Sequence, residues 1–135
     1  MKKVITYGTF DLFHVGHLNI LKRAKALGDY LIVAVQDGEF ILKYKPTAKI
    51  FYTTDQRIEL ISSLKVVDQV ITYENVDETI KKVDFDVFAI GGDQMHEGFQ
   101  RAIKWCEENG KEVVRLPRTP GICSSNIKNE LEKGK

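Results

Sequence analysis

Residues 4–17 read VITYGTFDLFHVGH, and this stretch decides the fold. Its first four residues form a mostly apolar run, which predicts a buried strand, and Gly8 ends that run. Apolar residues then recur at helical spacing from Leu18 to Leu27, and Gly28 follows them as a C-terminal cap would. A strand that passes directly into a helix is the opening unit of an α/β sheet.

The same alternation continues along the chain. Further strands are predicted at residues 30–35, 69–72, 87–90 and 113–116, the second of these being the weakest. Helical periodicity lies around residues 58–64 and 99–106, and a last short helix is predicted to open at Ser124-Ser125. The pattern predicts a single-domain, doubly wound, Rossmann-like parallel sheet over residues 1–135.

The composition excludes several classes of protein. The formal net charge is +1, whereas proteins that bind nucleic acid or anionic membranes usually carry a basic excess. No stretch approaches the roughly 20 consecutive apolar residues of a membrane span. The two cysteines form no disulfide framework, and Cys106 occupies an apolar helical position. We therefore expect a cytoplasmic protein without nucleic-acid or membrane partners, in which Cys106 is a buried free thiol.

Ligands of a doubly wound sheet bind beyond the carboxyl ends of its strands. The segments that follow the first, fourth and fifth predicted strands are polar or contain glycine, at residues 8–17, 91–98 and 117–125. Residues 36–54 form a long stretch without periodicity, and long loops of this kind are often functional lids. We expect the site to lie where these segments meet.

Two histidines, His14 and His17, lie three residues apart where the first strand turns into the helix. If the helix starts near Val15, both imidazoles lie at its positive end, where free N–H groups favour an anion. Gly8 and Gly16 would let a phosphate group approach the backbone closely. The pattern favours phosphate binding.

The histidine pair could instead bind a metal ion or serve in ordinary polar packing. A protein metal site usually has at least three ligands, and the sequence offers only Asp11 or the distant His96 as a third. We therefore predict no metal ligands in the chain.

The string GTFDLFHVGH resembles the signature of the cytidylyltransferase-like nucleotidyltransferases, which carry an HxGH motif. The strings RAKALGDYLIVAV and LPRTPGI resemble the bacterial members that act on glycerol 3-phosphate, and the resemblance covers nearly the whole chain. It implies the nucleotidyltransferase fold and transfer of CMP from CTP to a small phosphorylated alcohol, glycerol 3-phosphate first, with release of pyrophosphate. It also implies Mg²⁺ carried with the nucleotide, a homodimer, and a place in teichoic acid or capsule synthesis.

The resemblance also implies three groups of site residues. The catalytic group consists of His14, His17, Lys43, Lys45 and Arg118. The nucleotide-binding group consists of Gly8, Thr9, Phe10, Gly16, Gly91, Asp93, Thr119, Ile122, Ser124 and Ser125. The acceptor-binding group consists of Asp11, Arg57, Tyr73 and Gln94.

The chemistry of these side chains suits such a transfer. The acceptor phosphate is itself a nucleophile, so catalysis reduces to positioning and to stabilising charge on the departing pyrophosphate. The ammonium groups of Lys43 and Lys45 and the hydroxyl groups of the serine pair can meet that charge. The planar guanidinium of Arg57 suits the acceptor phosphate. No side chain is set up with a base and an orienting group for covalent catalysis.

Three alternatives stay open. At Gly92, Gln94 and Val76 the chain departs from the members that act on glycerol 3-phosphate, so the acceptor could be another amino-alcohol or polyol phosphate. A Gly-Gly-Asp string such as residues 91–93 also occurs in heptose-phosphate adenylyltransferases, so an adenylyltransferase for a heptose phosphate or FMN is the second alternative. The third is a non-catalytic nucleotide-binding module, which would need no clamp for a leaving group.

Overall fold

The computed structural model describes residues 1–8, 10, 15–38, 42, 52–91 and 97–116, and the following strands and helices lie within them. The strands are β1 (Lys3–Gly8), β2 (Tyr30–Gln36), β3 (Gln69–Tyr73), β4 (Val87–Gly91) and β5 (Glu112–Leu116). The helices are α1 (Val15–Lys25), α2 (Thr54–Ser62), α3 (Val76–Thr79) and α4 (Glu97–Glu108). None of these helices is long and apolar enough to pass through a lipid bilayer.

In the described part of the chain the sheet has five parallel strands in the order β3-β2-β1-β4-β5. β1 lies at the centre, where Ile5 pairs with Ile32 of β2 on one side and with Phe88 of β4 on the other. The chain winds outward from β1 to β3 and then crosses to β4, so its direction of winding reverses between β1 and β4. The doubly wound α/β sheet predicted from the sequence is confirmed.

Helices cover both faces of the sheet, and each face buries its own apolar core. Under α1 and α2, Leu21 and Ile61 are fully buried against strand residues such as Val33. Under α3 and α4, Phe99 stacks on Phe88 with ring centroids 6.3 Å apart. Because both faces are covered, the central strands β1, β2 and β4 are buried almost throughout, which explains why their sequences are apolar runs.

An aspartate stands directly before each of three strands, and each makes the same reciprocal pair of hydrogen bonds. Asp68 donates its backbone N–H to the carbonyl oxygen of Leu31 at 3.0 Å, and its Oδ2 accepts the N–H of Leu31 at 2.8 Å. The same pair of bonds joins Asp29 to Lys2 and Asp86 to Lys3. These three aspartates, here called the amino-edge clamps, tie the start of one strand to the start of its neighbour.

The predicted strands are confirmed, with bounds that differ by one residue at most. Helix α1 starts at Val15 as expected, and Gly110, with a φ of 71°, lies just after the end of α4. Cys106 is fully buried, as predicted. The short helix α3 is not predicted, because four residues are too few to show helical periodicity. The predicted last helix and most of residues 36–54 lie outside the described residues.

Candidate active site

The carboxyl ends of β1 and β4 mark the point at which the winding of the sheet reverses. β1 ends at Gly8, β4 ends at Gly91, and the two strands are paired neighbours. The helix that follows β1 lies on one face of the sheet and the helix that follows β4 lies on the other. In sheets of this kind such a reversal is the usual place of the ligand site, here called the crevice. Gly8 and Gly91, which are both predicted to bind the nucleotide, are thus the last residues of two neighbouring strands.

Helix α1 begins at this same edge of the sheet. Val15 is its first residue, Gly16 is buried, and His17 is half-buried within the first turn. The first turn contains no acidic residue. The positive end of the helix dipole is therefore not neutralised from within the helix, and an anion beside it would be stabilised.

Phe10 lies between Gly8 and His17 and contacts both. Its φ of 55° lies in the left-handed region, which costs a residue other than glycine about 1–3 kcal/mol. Its ring meets the imidazole of His17 edge to face, with centroids 5.6 Å apart and an interplanar angle of 77°. A methyl group on Gly8 would lie 2.8 Å from the same ring, so only glycine fits there without displacing it. Since Phe10 is 7% exposed, any contact of residue 10 with a nucleotide would come from its backbone.

A capping box starts α2 and thereby places Arg57. The hydroxyl oxygen of Thr53 accepts the N–H of Gln56 at 3.1 Å, and Oε1 of Gln56 accepts the N–H of Thr53 at 3.0 Å. Arg57 follows in the first turn of the helix and points its guanidinium toward the end of β2.

Arg57, predicted to hold the acceptor phosphate, is fully buried. Its Nη1 donates to the carbonyl oxygen of Gln36 at 2.7 Å, and its Nη2 donates to Oγ1 of Thr54 at 3.2 Å. The same Oγ1 accepts the N–H of Gly38 at 2.9 Å. The guanidinium therefore ties the start of α2 to the segment that leaves β2, and contact with the acceptor stays a prediction.

Tyr73, another predicted acceptor ligand, ends β3 and is 6% exposed. Its ring meets that of Tyr7 edge to face, with centroids 4.9 Å apart. Burial raises the pKa of both phenols far above their usual range, and Arg57 opposes this only weakly for Tyr73. Both phenols stay neutral at physiological pH, so they act as core side chains and not as acids or bases.

A groove of about 380 Å³ opens between α3 and the start of α4, at the carboxyl ends of β2 and β3. Carboxylates line it on both sides, from Glu74 and Asp77 on one side and Glu97 on the other. Nε of Arg101 lies 2.9 Å from Oδ2 of Asp77, and its Nη1 lies 3.6 Å from Oε2 of Glu97. Val76, which is 3% exposed, is the apolar residue of the lining. The sequence singled out this segment but did not predict a groove.

Many of the predicted site residues lie outside the described residues. They are Thr9, Asp11, His14, Lys43, Lys45, Asp93, Gln94, Arg118, Thr119, Ile122, Ser124 and Ser125. Of the others, Gly8, Phe10, Gly16 and His17 come together where β1 passes into α1, and Arg57 and Tyr73 lie at the neighbouring ends of β2 and β3. Within the described ranges, no group of three or more His, Cys, Asp or Glu side chains is placed to hold a metal ion.

Comparisons with known proteins agree on one family. The family model described as cytidylyltransferase-like matches residues 5–130. The chain is 42% identical to glycerol-3-phosphate cytidylyltransferase of Bacillus spizizenii over 134 residues, which cover 97% of this chain and 98% of the relative. It is 44% identical to FAD synthase of Ferroglobus placidus over 135 residues, which cover 93% of this chain and 84% of the relative.

A solved structure supports the same grouping. The lipopolysaccharide core biosynthesis protein of Thermoplasma volcanium is similar to this chain with a TM-score of 0.71 and 29% identity. The similarity covers 88% of this chain and 97% of that protein. The two folds therefore correspond over nearly their whole lengths.

Proposed function

The chain belongs to the cytidylyltransferase-like family, and we propose that it transfers a cytidylyl group from CTP to glycerol 3-phosphate, with release of pyrophosphate. The observation that carries this proposal is the 42% identity to a glycerol-3-phosphate cytidylyltransferase along 97% of the chain. The crevice between β1 and β4, with the amino terminus of α1 beside it, supplies the anion site that such a reaction needs.

The acceptor phosphate supplies the nucleophile. One of its oxygens attacks the α-phosphorus of CTP and forms a new P–O bond, while the bond from that phosphorus to the bridging oxygen breaks. The electron pair of the broken bond leaves with pyrophosphate. The imidazole of His17 and the N–H groups at the start of α1 stabilise the α-phosphate as charge moves onto the bridging oxygen.

The outer phosphates need hydrogen-bond donors of their own, because the negative charge builds up on the departing pyrophosphate. On the family resemblance, Lys43 and Lys45 donate to these phosphates, together with the hydroxyls of Ser124 and Ser125. His14 joins His17 at the α-phosphate, and Arg118 lies against the nucleotide. Gly8 and Gly16 allow the backbone to approach the nucleotide, and Thr9, Gly91, Asp93, Thr119 and Ile122 complete its contacts.

On the family resemblance, Mg²⁺ bound to the nucleotide would neutralise part of the phosphate charge. Magnesium bound to a nucleotide is coordinated mainly by phosphate oxygens and water.

The groove between α3 and α4 is the space for the alcohol end of the acceptor. Its carboxylates at Glu74, Asp77 and Glu97 accept hydrogen bonds from hydroxyl groups and repel a second anion, so the acceptor phosphate stays in the crevice. Asp11 and Gln94 contact the acceptor directly. On the family resemblance, Arg57 and Tyr73 also belong to the acceptor site, and the guanidinium of Arg57 donates to Gln36, which lines the groove.

A second candidate is transfer of an adenylyl group from ATP to FMN. It is favoured by the 44% identity to FAD synthase of Ferroglobus placidus over 93% of the chain. The two activities share the attack on an α-phosphorus, and they differ in the base that is bound and in the size of the acceptor.

In this proposal the enzyme is a homodimer and works in the cytoplasm. Its product is an activated alcohol for teichoic acid or capsule synthesis. This setting is supported by the family resemblance. Light scattering of the purified enzyme at several concentrations would measure the oligomeric state, and a constant mass of one chain would contradict the dimer.

The test of the proposed function is pyrophosphate release with Mg²⁺, for CTP and ATP paired with a panel of acceptors. The panel contains glycerol 3-phosphate, ethanolamine phosphate, a heptose 1-phosphate and FMN. We expect the highest kcat/KM with CTP and glycerol 3-phosphate. Release only with ATP and FMN would establish the second candidate, and nucleotide binding without release from any pair would make the chain a binding module.

A further inference from the structure

Contacts on two sides of its ring hold Phe10 in a conformation that phenylalanine rarely adopts. Its φ of 55° lies in the left-handed region, and its ring is 7% exposed within the core under α1 and α2. Gly8 lies on one side of the ring, where an added methyl group would come within 2.8 Å. Strained residues persist only where their surroundings determine them, and they are concentrated at functional sites.

The second contact of this ring is with His17, and it acts on the orientation of the imidazole. The first turn of α1 fixes the backbone of His17, so the remaining freedom is rotation about two side-chain bonds. The edge-to-face contact, at a centroid distance of 5.6 Å, favours one of these orientations. The core fixes the position of the Phe10 ring, and the ring in turn favours one orientation of the imidazole.

We propose that Phe10 is a positioning residue for His17, whose ring holds the imidazole in the orientation that donates to the α-phosphate. This proposal rests on the proposed function, because His17 has its role there. The side chain of Phe10 touches no phosphate and acts through His17. Loss of its ring should therefore reduce turnover more than nucleotide affinity, since orientation matters most in the transition state.

The first experiment is a double-mutant cycle on kcat with Phe10→Leu and His17→Ala. Leucine keeps an apolar side chain and removes the aromatic ring. With His17 present, we expect Phe10→Leu to lower kcat about tenfold and to change KM for CTP less than about threefold. In the His17→Ala background, Phe10→Leu should leave kcat unchanged, because the residue through which it acts is gone. An equal loss in both backgrounds would overturn the proposal.

The second experiment observes the contact without nucleotide or turnover. The chain has three histidines, so the imidazole proton signals of His17 can be assigned by substitution in NMR spectra. The ring current of Phe10 should displace these signals, and Phe10→Leu should remove the displacement. Val33→Ala is the matched control, because Val33 is fully buried in the same core. It should lower Tm and leave the His17 signals in place, and identical His17 signals in wild type and Phe10→Leu would overturn the proposal.

Gly8→Ala provides an independent variant if Phe10→Leu does not fold. It keeps every core side chain, and its added methyl group displaces the ring of Phe10. We expect it to move the His17 signals in the free enzyme, and unchanged signals would contradict the proposal. Failure of the proposed function would look different: the wild-type enzyme would release no pyrophosphate from CTP with glycerol 3-phosphate, whatever the NMR spectra show.

Discussion

Arg57 donates from Nη1 to the carbonyl oxygen of Gln36 at 2.7 Å, and this bond joins the first turn of α2 to the last residue of β2. The next residue, Asp37, donates its N–H to the carbonyl oxygen of Tyr73 at 2.9 Å. The ends of β2 and β3 are thus tied to each other and to α2. A single buried guanidinium thus holds Gln36, one of the residues that line the groove between α3 and α4.

Arg57→Lys should lower the free energy of unfolding by about 1–3 kcal/mol, because an ammonium group cannot reproduce the two-pronged contact with Gln36 and Thr54. Urea denaturation followed by circular dichroism measures this. Arg101→Lys is the control, because the side chain of Arg101 is 58% exposed, and the stability of this variant should change less than that of Arg57→Lys. Wild-type stability combined with a large rise in KM for glycerol 3-phosphate would instead make Arg57 an acceptor ligand.

His17→Ala should lower kcat for pyrophosphate release at least about 100-fold, since one donor to the transition state is lost. Half-burial in the first turn of α1 makes this substitution tolerable for the fold. Lys22→Ala, at an exposed position of the same helix, should leave kcat unchanged. A folded His17→Ala enzyme with normal turnover would remove His17 from the mechanism.

Gly28→Ala should destabilise the protein by about 1–3 kcal/mol without lowering kcat of the folded enzyme. Its Cβ would lie 2.6 Å from the carbonyl oxygen of Lys2 and 2.9 Å from Cγ2 of Val4, so backbone has to move. Gly110→Ala is the comparison, because no atom lies within 4 Å of its Cβ and only its φ of 71° is unfavourable. Thermal melts should rank Gly110→Ala as the milder change, and the reverse order would contradict the steric account.

Asp68 should make stability depend on pH in the acid range. Its carboxyl pKa lies below the ordinary value of 3.8, first because the ammonium of Lys25 donates to it and then because the N–H of Leu31 does. Since the folded pKa is the lower one, the stabilisation is fully present above the unfolded pKa and is lost as pH falls through the folded pKa. Asp68→Asn should therefore lower Tm at pH 7 and flatten the fall of Tm below about pH 4.

The control for this pH dependence is Asp84→Asn. Asp84 pairs with Lys3 at 3.2 Å, but its side chain is 87% exposed, so its loss should change Tm little. Melting curves from pH 2 to pH 7 compare the three proteins. Parallel curves for wild type and Asp68→Asn would contradict the assignment.

Cys106 should resist alkylation in the folded protein. Burial raises the pKa of its thiol to about 11, so at pH 8 only about one thiol in a thousand is ionised. We expect iodoacetamide to leave Cys106 unmodified in buffer and to modify it in urea, with peptide mass spectrometry separating it from Cys123. Rapid modification of Cys106 under native conditions would show that the core opens near α4.

The sequence predicts the central strands best, because burial on both faces turns β1, β2 and β4 into apolar runs. The edge strand β3 exposes Gln69 and Thr72, so its signal is weaker. The amino-edge clamps have one local signal in the sequence, because an aspartate directly precedes three of the five strands. Their hydrogen-bond partners lie in neighbouring strands and could not be predicted from local sequence.

The parts of the candidate site that lie close together in sequence could be predicted, whereas contacts between distant segments could not. Gly8 and His17 follow from one motif, because strand, turn and helix place them within ten residues of sequence. The bond from Arg57 to Gln36 joins residues 21 apart in sequence, and no local pattern reveals it. The left-handed backbone of Phe10 is also hidden from sequence, since bulky residues seldom adopt it.

The amino-edge clamps select the alignment of the parallel strands. A slip of β3 by one residue against β2 would separate the carboxylate of Asp68 from the N–H of Leu31 and would turn the apolar side chains of β3 to the wrong face. The same penalty applies at Asp29 and Asp86. The three aspartates thus disfavour misaligned sheets, although they lie at the edge away from the candidate site. Substitutions at the opposite edge, where the candidate site lies, leave these hydrogen bonds in place, so the chain keeps folding into the same register.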